Sequence, residues 1–286
     1  MPMAINKKIG FIGAGKVGFS LGRYFMEHHM DVSGYYSQNP LSAKEAAAFT
    51  QTAFFETLQD VVRESDVLFL TVPDSKIASV WNELKQHHIQ GKIVCHCSGA
   101  LSSDIFSNME SFQIYGYSIH PLFAIHDPYT SYKELSQCLF TIEGHEQYKD
   151  YFKSLFKQLG NPLQVIDKED KVRYHLTATM ASNLVVGLVH LCEQQLIQCG
   201  FAKENCTKAL GPLLQFNIAH ILSDGCEKAL TGPLERCDCA TVKKHLQAIS
   251  GNEETIYKCL SKVLLAIAKN KNPERHYEEM EGILEE

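Results

Sequence analysis

The chain reads as an α/β protein: an N-terminal domain built on a doubly wound parallel sheet, followed by an all-α C-terminal domain. Three observations predict this. Strand-like and helix-like runs alternate as far as residue 167. A glycine-punctuated turn joins the first strand to the first helix. From Asp167 onward strand signals cease, and apolar residues recur at helical spacing. The expected domains are therefore 1–167 and 168–286.

Ile9, Phe11 and Ile12 make the first apolar strand, and Val17, Leu21 and Phe25 open the helix after it. Between them Gly13, Gly15 and Gly18 stand in G-x-G-x-x-G spacing. The first glycine permits the tight turn, the second lets backbone amides approach an anion, and the third lets helix pack on strand. The turn Gly13-Ala14-Gly15-Lys16-Val17-Gly18 thus predicts a dinucleotide whose diphosphate rests on a helix N-terminus.

Further strands are expected at 32–36, 66–72, 92–97, 113–119, 139–143 and 163–166, with helices at 43–49, 77–84, from Ser102, and at 147–159. Ligands of open α/β sheets bind outside the carboxyl ends of the strands. Those ends carry Val72-Pro73-Asp74, Cys97-Ser98-Gly99 and His120. Asp74 reads equally as a helix cap. After the second strand stands Ser37-Gln38-Asn39, with no carboxylate to bind a ribose 2′-hydroxyl and repel a 2′-phosphate. That favours NADP, with NAD as the alternative. Lys44 is a candidate for the missing phosphate clamp.

In the second half, 168–200 reads as one long helix stopped by Gly200, followed by helices at 203–224, 239–249 and 252–269 and an acidic tail expected to fray after Pro273. Lys171, His175, Thr179 and Asn183 step by four, drifting about 40° each, to form a polar stripe beside small residues. A solvated face is one reading, and the wall of a cofactor cleft is the other. Thr231, Arg236 and Asp238 concentrate polarity after a Gly-Pro turn, as a substrate contact or as a loop held by an Arg–Asp pair.

The 286 residues carry a formal charge of −6 with 45% hydrophobic and 21% charged residues, an ordinary globular composition with no nucleic-acid signature. No signal-peptide layout opens the chain and no apolar run is seen at membrane-span length, so a cytoplasmic protein is expected. Ten cysteines include the C-x-C pairs Cys95/Cys97 and Cys237/Cys239. A zinc site joining them is one reading, and reduced thiols used as small apolar residues are the other.

With these residues in view, the chain resembles bacterial Rossmann-like proteins that carry a C-terminal helical domain of unknown function and are often labelled NADP oxidoreductases. The resemblance rests on I-G-F-I-G-A-G-K-V-G at Ile9–Gly18, V-P-D at Val72–Asp74, S-G-A at Ser98–Ala100 and H-P-L at His120–Leu122. It continues through Y-H-x-x-A-x-x-A-S-N at Tyr174–Asn183 and A-L-T-G-P at Ala229–Pro233, running into R-C-D-x-x-T-V-x-x-H-L. One departure is Arg236-Cys237-Asp238 where the family reads Arg-Gly-Asp. Wider relatives are similar to pyrroline-5-carboxylate reductase, ketopantoate reductase and the 6-phosphogluconate and 3-hydroxyisobutyrate dehydrogenases. The resemblance implies an NADP-binding fold and a homodimer through the helical domains.

The expectation is an NADP-dependent oxidoreductase moving hydride between NADPH and a small carbonyl or imine. His175 or Lys171 would donate the proton, His120 or Asn183 would polarise the substrate, and Arg236 would clamp an anion. The alternative is an NADP-binding sensor without turnover. A zinc-assisted enzyme is a third reading.

Overall fold

A computed structural model describes residues 7–286; the first six residues, on which the expectation about a signal peptide bears, lie outside them. The strands are β1 (Ile9–Ile12), β2 (Val32–Tyr36), β3 (Ala53–Phe54), β4 (Val67–Leu70), β5 (Ile93–His96), β6 (Tyr115–Pro121), β7 (Phe140–Gly144) and β8 (Leu163–Val165). They form one sheet in the order β3-β2-β1-β4-β5-β6-β7-β8. Every neighbouring pair is parallel except β6 and β7, which run antiparallel.

Side chains alternate across a strand, so each central strand feeds two cores. Phe11, Phe69 and Cys95 point to one face, where α1 (Lys16–Glu27), α2 (Pro40–Thr50) and α5 (Lys149–Leu159) cover them with Phe25, Ala46 and Phe156. Ile12, Leu68, Leu70 and Val94 point to the other, beneath α3 (Leu58–Glu64) and α4 (Asp74–Leu84) with Val61 and Trp81. The helices start where local chemistry permits. Asn39 accepts the Leu41 amide ahead of Pro40 at the start of α2, and Thr57 accepts the Asp60 amide for α3.

Two short elements, β3 and α3, escape the sequence pattern because neither is long enough to show a period. The helix expected from Ser102 is only a 3-10 turn at Ser103–Ile105. Buried Glu143 takes both the Ser103 amide and its hydroxyl, at 2.7 Å each, anchoring that turn to the sheet.

The compact units are Met1–Asn183 and Leu184–Glu286. The single helix expected over 168–200 is instead two, α6 (Lys171–Ala181) and α7 (Asn183–Gln198). Ser182 breaks it with φ −121° and ψ −78°, its hydroxyl donating back to the Ala178 carbonyl at 2.7 Å. The stretch Lys168–Gln198 is long and apolar enough to cross a membrane by length and composition alone, against the sequence expectation. The break leaves helices of 11 and 16 residues, each short of the roughly 20 a span needs.

The second unit continues with α8 (Lys203–Ala229), α9 (Cys239–Ala248), α10 (Asn252–Lys271) and α11 (Glu278–Glu285). Its core gathers Leu230, Leu234, Val242, Leu265, Tyr277 and Met280. The tail does not fray: α11 buries Met280, Ile283 and Leu284.

Candidate functional site

The first site forms where β1 meets α1. Gly13 turns the chain at φ +99°, and a Cβ there would lie 2.9 Å from the Thr71 carbonyl carbon and oxygen. Gly15 is the N-cap of α1, which has no side-chain cap, so its first amides are left for an anion. Gly18 packs against β4, where a Cβ would meet the Thr71 hydroxyl at 2.3 Å. Thr71 Oγ1 donates to the Gly13 carbonyl at 2.7 Å, tying the turn to the next strand.

This turn opens onto a cavity of about 330 Å³ lined by Gly13, Ala14 and Gly15, by Ser37, Gln38 and Asn39, and by Val72 and Pro73. Lys16, Val17, Gly18, Asp74, Cys97, Ser98 and Gly99 do not line it. Ser37 Oγ accepts the Asn39 amide and Asn39 caps α2, so the neutral end of β2 is itself held in place. The free amides, the glycine turn and the carboxylate-free end of β2 fit a pyridine dinucleotide; Glu83, from the last turn of α4, also lines the cavity. Lys44 does not reach this wall; its ammonium lies 5.1 Å over the Phe54 ring. Lys76 and Ser42 line the cavity instead. Sequence reasoning missed Lys76, which stands in the first turn of α4 beside a strand end already singled out.

The loop after β5 is braced on every side. Buried His96 accepts the Ser98 amide at Nδ1 (3.1 Å) and so donates from Nε2 to the Ser102 carbonyl (3.1 Å); burial pulls its pKa down to about 4. Ser98 Oγ donates to Asp74 at 2.6 Å and receives the Ala100 and Leu101 amides. Asp74 is therefore a clasp between two loops, while Pro73 occupies the cap position of α4. Cys97 is neutral, pushed up to about 12 by burial.

Lys171 completes the brace. Its side chain is 1% exposed, and Nζ donates to Ser118 Oγ at 2.6 Å and to the Ser98 carbonyl at 3.0 Å. Desolvation lowers its pKa to about 8, against the opposing pull of Glu143 and Asp74. Its hydrogen bonds go to the loop, so it positions Ser98 and Gly99.

A second cavity, about 560 Å³, opens beside this loop between the end of β6 and α6. His120, His126, Tyr174, His175, Thr179 and Asn183 line it, so the structure gathers three of the four proposed catalytic residues around one cavity, and Lys171 does not line it. His120 lies within β6, paired with Thr141, rather than after a strand. Its Nδ1 is 2.7 Å from the Tyr174 hydroxyl. Burial, Lys171 and His175 pull the His120 pKa down to about 3, so it is neutral at pH 7. A Cβ on Gly99 would stand 2.6 Å from His175 Cδ2 and 3.0 Å from His120 Nε2. His175 and Asn183 are exposed, not buried as the polar stripe suggested, along with Val172, Leu176 and Met180. His126 and Tyr174 were not anticipated as wall residues.

Thr231, Arg236 and Asp238 sit in the second unit and line neither cavity. No Arg236–Asp238 ion pair forms among the described residues. Asp238 instead caps α9, accepting the Thr241 amide (3.1 Å) and hydroxyl (2.7 Å). The tight turn survives without glycine, because Cys237 itself adopts φ +58°. All ten cysteines are free, and among the described residues no three His, Cys, Asp or Glu side chains gather as a metal site.

Family models match two segments: a Rossmann-like domain over residues 4–121 and a domain of unknown function, DUF2520, over 138–264. The chain thus carries a Rossmann-like domain followed by a DUF2520 domain. Among solved structures, protein TM1727 from Thermotoga maritima superposes with a TM-score of 0.73 at 28% identity, over 92% of this chain and 99% of that one. A Bacteroides fragilis protein named as an NADP oxidoreductase gives 0.70 at 19% identity, over 92% and 99%. Pyrroline carboxylate reductase from Plasmodium falciparum, solved with NADP bound, gives 0.57 at 12% identity, over 94% and 98%. No curated protein matches the chain.

Proposed function

We propose that this protein is an NADP-dependent oxidoreductase acting on a small carbonyl or imine. One observation carries the reading: a glycine turn with free helix amides opens onto a cavity where the end of β2 brings no carboxylate, and a histidine-lined cavity stands along the same sheet edge. The carboxyl ends of β1, β4, β5 and β6 are consecutive there, three strand spacings or about 14 Å in all. Likeness to an NADP-bound reductase and to a protein named as an NADP oxidoreductase supports it.

Gly13 to Gly15 would hold the diphosphate, with Ser37, Gln38, Asn39 and Lys76 around the adenosine ribose. The cofactor supplies or accepts the hydride. His175, exposed at the second cavity, is the proton donor of choice. His120 and Asn183 are placed to polarise the reacting group, and Lys171 acts as a positioning residue through Ser98. The apolar faces of α7 and α8 suit a homodimer through the helical domain, and ten free thiols suit a reducing, cytoplasmic setting.

Calorimetry with NADPH and NADH, then NADPH oxidation against a panel of 2-oxoacids, cyclic imines and aldehydes, tests the proposal. NADPH is expected to bind at least tenfold tighter than NADH, and Gly13→Val to abolish both. No affinity for either would overturn it. Tight binding with no turnover on any panel member favours a sensor instead, a reading supported by the burial of Lys171 away from the cavity.

A further inference from the structure

The reductase reading leaves Tyr174 and Thr141 without a task, yet both belong to one row that ends at His120. The antiparallel register of β6 and β7 sets Thr141 directly across from His120. Tyr174, in the first turn of α6, brings its hydroxyl to 2.7 Å from His120 Nδ1. Thr141 is 2% exposed, and its hydroxyl has no hydrogen-bond partner of its own. It faces the Tyr174 phenol: burial pushes that phenol's pKa up, and the Thr141 hydroxyl draws it back.

With the Tyr174 proton kept inside the row, two directions are open. In one, His120 Nδ1–H donates to Tyr174, Tyr174 donates to Thr141, and the Thr141 hydrogen is left buried with no acceptor. In the other, a small rotation lets Thr141 donate to the Tyr174 oxygen. Tyr174 then donates to Nδ1, and the proton left on the imidazole is on Nε2. Stranding a buried donor is costly, whereas the second direction strands none. Its free end is also the useful one. Nε2 looks over Gly99, where a Cβ would come within 3.0 Å of it and 2.6 Å of the His175 ring. Only glycine lets the two rings stand that close to the backbone.

We propose that Thr141 and Tyr174 are positioning residues that lock His120 as the Nε2–H tautomer, a hydrogen-bond donor aimed past Gly99 at the carbonyl oxygen or imine nitrogen of the substrate. The identity of that acceptor rests on the reductase reading; the tautomer does not. Held neutral, as its pKa of about 3 requires, His120 polarises without becoming the proton source. That task stays with His175.

Nitrogen-15 NMR of histidine-labelled protein reads the tautomer directly, with the His120 signals among the 13 histidines identified by their loss in His120→Gln. In the wild type, Nδ1 is expected to be pyridine-like and Nε2 to carry the proton. Tyr174→Phe should abolish that preference, and Thr141→Val, nearly isosteric, should weaken it. A proton on Nδ1 in the wild type, or a tautomer unchanged in Tyr174→Phe, overturns the proposal. NADPH calorimetry on the same samples separates the two ideas. Loss of dinucleotide binding refutes the reductase reading and leaves the tautomer standing, and a wrong tautomer does the reverse.

Discussion

The sheet unit and the helical unit handle apolar surface in opposite ways. All four residues of β1, of β4 and of β5 are buried, and their side chains feed two cores. The 16-residue α7 buries none of its residues, and the 27-residue α8 buries only Cys206. Leu213, Phe216 and Leu222 on α8 are 69%, 70% and 82% exposed. A monomer rarely leaves that much contiguous apolar surface in water. The strands of the sheet unit thus bury their apolar side chains within it, while the long helices of the other leave an apolar face exposed.

The contrast is sharpest in paired truncations. Phe69→Ala empties a fully buried ring site between Phe11 and Phe25 and should cost about 3–5 kcal/mol in urea unfolding. Phe216→Ala should stay within about 0.5 kcal/mol for a monomer. If a second copy covers α8, its cost instead grows with protein concentration, visible in sedimentation. Equal costs at high dilution would erase the distinction between the units.

A smaller effect separates the site's interior from its surface by pH. His96 and His120 both have depressed pKa values in the native state, about 4 and about 3. The unfolded chain therefore takes up protons first, near pH 6.5. Their contribution to stability is complete above that pH and is lost as pH falls toward 3–4. At pH 5 the loss from His96 alone is on the order of 2 kcal/mol. Unfolding titrations should show a flatter acid slope in His96→Gln than in wild type.

The smallest effect concerns the helical unit's turn. Cys237 holds a left-handed conformation without being glycine, which carries about 1 kcal/mol of strain. Cys237→Gly should raise the stability by up to that amount, and a fall would mean that the Cys237 thiol, 3.3 Å from the His276 carbonyl, contributes more than the strain costs.

Local order made much of the sheet unit legible. The first turn could be read from spacing because Gly13, Gly15 and Gly18 stand together in one strand–turn–helix, although atoms that exclude a Cβ at Gly13 and Gly18 belong to Thr71, after β4. The strands around it were legible because buried parallel strands are unbroken apolar runs. Fidelity fell where a residue's fate depends on what crosses it. Lys44 and Lys76 look alike in sequence; one stacks on Phe54 and the other reaches the cavity. Asp74 had two plausible local roles, and neither foretells that Ser98, arriving from another strand, donates to it.

What the order of residues determined on its own is the nucleotide-ready turn, the alternating half and the helical half, because periodicity and glycine freedom act within a few residues. Only the folded chain decided that Lys171 is a brace, that Ser182 splits the long helix, and that Thr141 and Tyr174 stand behind His120. Those outcomes depend on strand register and on which buried donor meets which acceptor, and neither is written at short range.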